Sequence, residues 1–200
     1  MKTTKHKLGF GLLEFLVTLG IFVIIIVVLT SFQTNIFSQN NLLNNSLVAD
    51  SEMRTAMKRL IAELRGAAQS DTGAYQLAVA SGSTMTFYSD IDSDGLHEQL
   101  RYFVDGTTLK RGVIKPTGSP LAYVSGNEQV TSLIKNLANP TQVFSYYDDN
   151  YTGSESALVA PIDIPNVRLA KITFTVDADP TRPPAPLTLT SQVAIRSLKY

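Results

Sequence analysis

The chain has 200 residues, 44% of them hydrophobic and 17% charged, enough for one modest globular core plus an anchor but not for two independent cores. Its 17 basic residues are matched by 17 acidic ones, so it lacks the positive excess with which a nucleic-acid binder neutralises phosphates. There is no cysteine, which excludes a disulfide framework, a thiolate metal site, a thiol nucleophile and a lipid-bearing cysteine, and leaves the compartment to be read from the N-terminus.

Residues 1–9 carry Lys2, Lys5, His6 and Lys7 and no acid, and positive flanks of this kind stay cytoplasmic. From Phe10 to Phe32 the only formal charge is Glu14. As a helix this stretch spans about 34 Å, which matches a hydrocarbon core of about 30 Å. Its Ile and Val content favours strand in water, but lipid offers backbone amides no outside partner, so a helix is expected. A cleaved secretory signal needs an apolar region of about 7–15 residues and a small-residue cut site. Here the run is longer and closes on Thr30-Ser31-Phe32-Gln33. The sequence therefore predicts a transmembrane helix half over residues 10–32.

Glu14 needs an explanation, because a carboxylate in an apolar span costs on the order of 1–3 kcal/mol depending on depth. The order Lys7-Leu8-Gly9-Phe10-Gly11-Leu12-Leu13-Glu14-Phe15 resembles the prepilin motif of the type IV pilin-like family: basic leader, glycine, aromatic residue, and a glutamate four positions on. The resemblance implies a leader, residues 1–9, removed by a prepilin peptidase after Gly9, and methylation of the new N-terminus at Phe10. It also gives Glu14 a partner, the N-terminal amine of a neighbouring pilin or pseudopilin subunit, each charge offsetting the burial cost of the other. Two departures are visible. Gly11 stands where many relatives carry Thr or Ser, and the first proline is Pro116, so any bend in the spine falls to Gly20 or Thr30-Ser31.

An amphipathic helix half is expected over residues 33–66. Leu43, Leu47, Met53, Met57, Leu60, Ile61 and Leu64 recur at mainly three- and four-residue steps and form one stripe. Glu52, Lys58, Arg59 and Arg65 are left for water, and Gly66 is placed to end the helix. From residue 67 to 200 the pattern is that of a β-rich head. Strands are expected at residues 75–80, 84–89, 98–104, 108–114, 143–147, 168–176 and 187–197, where β-branched and aromatic runs lie between Gly, Pro, Asn, Asp and Ser. In the sixth, Ile172, Phe174 and Val176 share one face and Lys171, Thr173 and Thr175 the other. Ser125 and Glu128, followed by Val130, Leu133, Ile134 and Leu137, have the spacing of a capped short helix. The fold class expected is α+β, pilin-like, with the long N-terminal helix packed on an antiparallel sheet of about seven strands.

The segment Asp90-Ile91-Asp92-Ser93-Asp94-Gly95-Leu96-His97-Glu98 carries the most chemistry. Oxygen donors at its first, third and fifth positions, glycine at the sixth and a carboxylate at the ninth suit calcium, a hard cation taking six to eight oxygens. Arg101 in the twelfth position rules out an EF-hand. The segment resembles the Asp-x-Asp-x-Asp-Gly-x-x-Asp loops that bind calcium between strands in propeller-type adhesion proteins, with Glu98 for the last Asp. That resemblance implies Asp90, Asp92, Asp94, Glu98 and the Leu96 carbonyl as ligands. A polar turn favoured by Asp and Gly for local reasons is the plainer account of the same residues.

Catalysis finds no support in the sequence. The histidines are His6 and His97, no Ser-His-Asp set can be built from them, and no glycine-rich phosphate loop is present. Tyr146, Tyr147 and Tyr151 read as a strand end and loop, or as a contact surface. The resemblance implies a minor structural subunit, J- or W-like, of a type IV pilus or a type II secretion pseudopilus, in the bacterial cytoplasmic membrane with its head outside. The alternatives are a non-polymerising, membrane-anchored calcium-binding or adhesive domain, and a tethered enzyme.

Overall fold

The computed structural model describes residues 11–177 and 185–195, the side chains of residues 31–45 excepted. Among the described residues one α-helix, α1 (Leu12–Arg65), precedes eight strands: β1 (Leu77–Ala80), β2 (Thr84–Ser89), β3 (Glu98–Asp105), β4 (Thr108–Ile114), β5 (Gln129–Ile134), β6 (Phe144–Tyr147), β7 (Leu169–Val176) and β8 (Leu187–Ala194). The chain divides into two compact units, Met1–Asn44 and Asn45–Tyr200, so the second part of α1 belongs with the head. The architecture is α+β, as expected, and α1 is helical through Gly20 and across Thr30 and Ser31.

The strands form two antiparallel sheets, one of five in the order β1-β2-β3-β4-β5 and one of three in the order β6-β7-β8. The sheets meet where the Gly82 carbonyl accepts the Val143 and Phe144 N–H groups at 2.8 and 2.9 Å, and where Leu137 bridges Val176. One hydrophobic core lies between the two sheets and the helix. The helix contributes Met53, Ala56, Met57, Leu60 and Leu64, all buried, on the steps of three and four that the sequence shows. Glu52, Lys58, Arg59 and Arg65 are exposed as expected. Leu47 is not part of the stripe: it is 68% exposed, whereas Ala49, two residues on, packs against the core.

The sheets fill the other side of that core by alternation. Met85 and Phe87 of β2 and Leu100 and Tyr102 of β3 are fully buried, and the Phe87 and Tyr102 rings lie parallel with centroids 6.1 Å apart. In β7, Ala170, Ile172, Phe174 and Val176 are buried, while the intervening side chains are partly exposed. On that outer face Thr173 and Thr175 pair with Thr190 and Thr188 through hydroxyl contacts of 3.2 Å.

The short helix expected from Ser125 is a correction. At that place the structure has one turn of 3₁₀ helix, Ser125–Asn127, and then β5 paired antiparallel with β4. Glu128 does not reach back to cap Ser125. It lies over Gly112 and takes two hydrogen bonds from Arg101, at 2.8 and 2.7 Å. An open strand edge on β4 and the β-branched Val130 and Thr131 outweigh a capping pattern that has too little helix behind it. The expected single sheet of about seven strands is accordingly eight strands in two sheets. Tyr146 and Tyr147 are buried rather than displayed, and Tyr151 packs on Tyr147 with centroids 4.1 Å apart.

Candidate functional site

The acidic segment forms the loop between β2 and β3. Its shape is held by its own carboxylates. Asp90 accepts the Ser93 and Gly95 N–H groups at 2.7 and 3.1 Å, Asp92 accepts that of Asp94 at 3.3 Å, and Asp94 accepts that of Leu96 at 2.9 Å. Gly95 sits at φ 86°, a left-handed conformation that side chains disfavour, which gives the glycine its place in the turn. Ser93 also has a positive φ, 62°.

Of the residues expected to meet a cation, the structure brings Asp90, Asp92 and Glu98 together, one oxygen of each lying within 4.8 Å of the others. Asp94 points to Lys115, and Leu96 is tied in through its N–H. Glu98 opens β3 with only 2% of its surface exposed. Its Oε2 accepts the Ile91 N–H at 3.1 Å, while its Oε1 is buried and accepts no hydrogen bond.

Two residues at this loop were not singled out from the sequence. Lys115, just beyond β4, donates to Asp92 Oδ2 at 2.8 Å and to Asp94 Oδ2, and its Nζ is 3.9 Å from Glu98 Oε1. These carboxylates raise the lysine's pKa, with the Asp92 hydrogen bond the largest cause, and the Lys115 hydrogen bond in turn lowers that of Asp94. The signal for Lys115 was available: β3 and β4 pair Asp105 with Thr108 and Gln99 with Ile114, and one more step sets Glu98 opposite Lys115. Asp71 is the second. It takes the His97 N–H at 2.6 Å and contacts the ring Nδ1 at 3.1 Å, which holds its carboxyl below the usual range, chiefly through the backbone N–H. The Tyr123 hydroxyl donates to the His97 carbonyl at 2.7 Å and completes this second anchor of the loop.

The other candidate site lies in the N-terminal unit. Among the described residues one helical segment, Leu12–Thr30, is long and apolar enough to cross a membrane. Every large apolar side chain from Leu12 to Leu29 is between 44% and 82% exposed, so the segment presents an apolar surface all round. Thr18 and Thr30 turn their hydroxyls back onto helix carbonyls, at 2.8 Å to Phe15 and 2.9 Å to Ile26, which removes two polar groups from that surface. Glu14 lies in the first turn, where a helix N-terminus favours an acid. Gly9 and Phe10, the residues of the expected cut, lie outside the described residues. No protein-family model matches the chain, and no curated protein matches it.

Proposed function

We propose that the chain is a structural subunit of a type IV pilus or type II secretion pseudopilus, cut after Gly9 and assembled through its N-terminal helix. The observation that carries this reading is the segment Leu12–Thr30, exposed and apolar on all sides, with a carboxylate at Glu14. Such a surface requires either lipid or the same surface of sister subunits. Lipid alone leaves Glu14 unanswered; a bundle of sister helices brings to it the amine that the cut creates at Phe10. The prepilin peptidase, the membrane lipid and the neighbouring subunits are the partners in this reading. The second unit then serves as the head displayed outside the bacterial cytoplasmic membrane, and a minor position in the filament suits its size and long loops.

Mass analysis of the N-terminus of the protein from its native host tests the reading. A chain that begins at a methylated Phe10 supports it. An intact Met1 would leave a simple anchored domain, and a cut beyond Phe32 would leave a secreted one; either result defeats it.

A further inference from the structure

The loop between β2 and β3 concentrates Asp90, Asp92, Asp94 and Glu98 within nine residues, against the single positive charge of Lys115. An exposed acidic cluster alone is unremarkable. Glu98 is different, because its carboxylate is withdrawn from water and one of its oxygens accepts no hydrogen bond. A buried anionic oxygen without a donor is costly to maintain, and Lys115 Nζ at 3.9 Å is beyond hydrogen-bond reach. The carboxylate that carries it belongs to a group with those of Asp90 and Asp92, one oxygen of each lying within 4.8 Å of the others. Thr117, Asn127 and Gln129 line the adjoining cleft with Asp92, Glu98 and Lys115, so further neutral oxygens are at hand.

We propose that this loop is a calcium site in which Asp90, Asp92 and Glu98 supply carboxylate oxygens, and that Lys115 is a tethered cation which calcium displaces from Asp92. All the donors are hard oxygens, and their number and mixture suit calcium, which accepts six to eight in an irregular shell. Magnesium demands a tight octahedron and parts with its water reluctantly, so it is the poorer fit. The ion would tie the β2–β3 loop to the first residue of β3, and would free Lys115 at the end of β4. Calcium binding here requires nothing of the N-terminal helix.

Calcium titration of the full-length chain in detergent, followed by calorimetry and by thermal melting after chelator treatment, is the test. The wild type is expected to bind one calcium and to melt a few degrees higher when the ion is saturating. Glu98→Gln, nearly the same shape, should bind at least tenfold more weakly. Asp92→Asn, which keeps an oxygen to accept the Asp94 N–H, should also weaken binding. Lys115→Met should tighten binding about tenfold by removing the competing charge. A melting temperature that ignores calcium overturns the proposal. So does an equal shift with magnesium, which would mean charge screening, or a Glu98→Gln chain that binds as the wild type does. Unchanged affinity in Lys115→Met overturns the displacement.

Discussion

Glu63 of α1 and Arg111 of β4 form a two-pronged ion pair, Nη2 to Oε1 at 2.7 Å and Nε to Oε2 at 3.1 Å, with both side chains nearly out of water. The Tyr102 hydroxyl adds a third donor to Oε2 at 2.6 Å. The pair sits on the face by which the helix meets the five-stranded sheet, since Arg111 stands opposite Tyr102 in the β3–β4 ladder. It ties the helix to the sheet through directional hydrogen bonds, which apolar contacts do not supply.

Removing one partner of such a pair strands the other. Glu63→Ala is expected to destabilise the head by about 3–5 kcal/mol, because the Arg111 guanidinium is left buried and unanswered. Replacing both, Glu63→Leu with Arg111→Met, should recover most of that loss, since two desolvation costs vanish together. Denaturant midpoints of the single and double variants decide the matter. A double variant as unstable as Glu63→Ala would contradict this account.

Tyr102 and Tyr146 are expected to make the head sensitive to alkali. Burial raises the pKa of both phenols, and for Tyr102 the nearby Glu63 carboxylate raises it further. A raised value means the fold prefers the neutral phenol. That stability is therefore complete below the unfolded-state value of about 10 and is lost as pH climbs above it. Melting temperature should fall steeply above about pH 10 in the wild type and less steeply in Tyr102→Phe. Parallel curves for the two proteins would show that Tyr102 is not responsible.

Gly112 leaves the space that Glu128 fills. A β-carbon at residue 112 would collide with the Glu128 carboxylate, which pairs with Arg101, whose guanidinium in turn rests 3.8 Å from the centre of the Phe103 ring. Gly112→Ala should cost about 1–2 kcal/mol in the wild type, part steric and part lost ion pair, and little in a Glu128→Ala background. A double-mutant cycle measures the coupling. Additive effects would mean that the two residues do not share the site.

The same residues show why the sequence was informative in some places and silent in others. The stripe of Met53, Met57, Leu60 and Leu64 and the alternation of Ile172, Phe174 and Val176 were legible because periodicity is written in neighbours a few positions apart. The strand β5 was not, because Ser125 and Glu128 imitate a helix cap while the true partner of Glu128, Arg101, lies 27 residues away. Glu63–Arg111 is longer still, at 48 residues. In the loop between β2 and β3 the clustering of acids was plain, but the burial of Glu98 and the approach of Lys115 depend on the β3–β4 register, which the sequence determines only once the turn between Asp105 and Thr108 is located.

The filament reading rests on Glu14 meeting a sister chain's new N-terminus, and the amount of this chain in purified filaments, wild type against Glu14→Ala, measures that most directly. Incorporation of the wild type and its loss in the variant, with the variant still cut at Gly9 and present in the membrane, is the result expected. Filaments holding the Glu14→Ala chain at the wild-type level would contradict it.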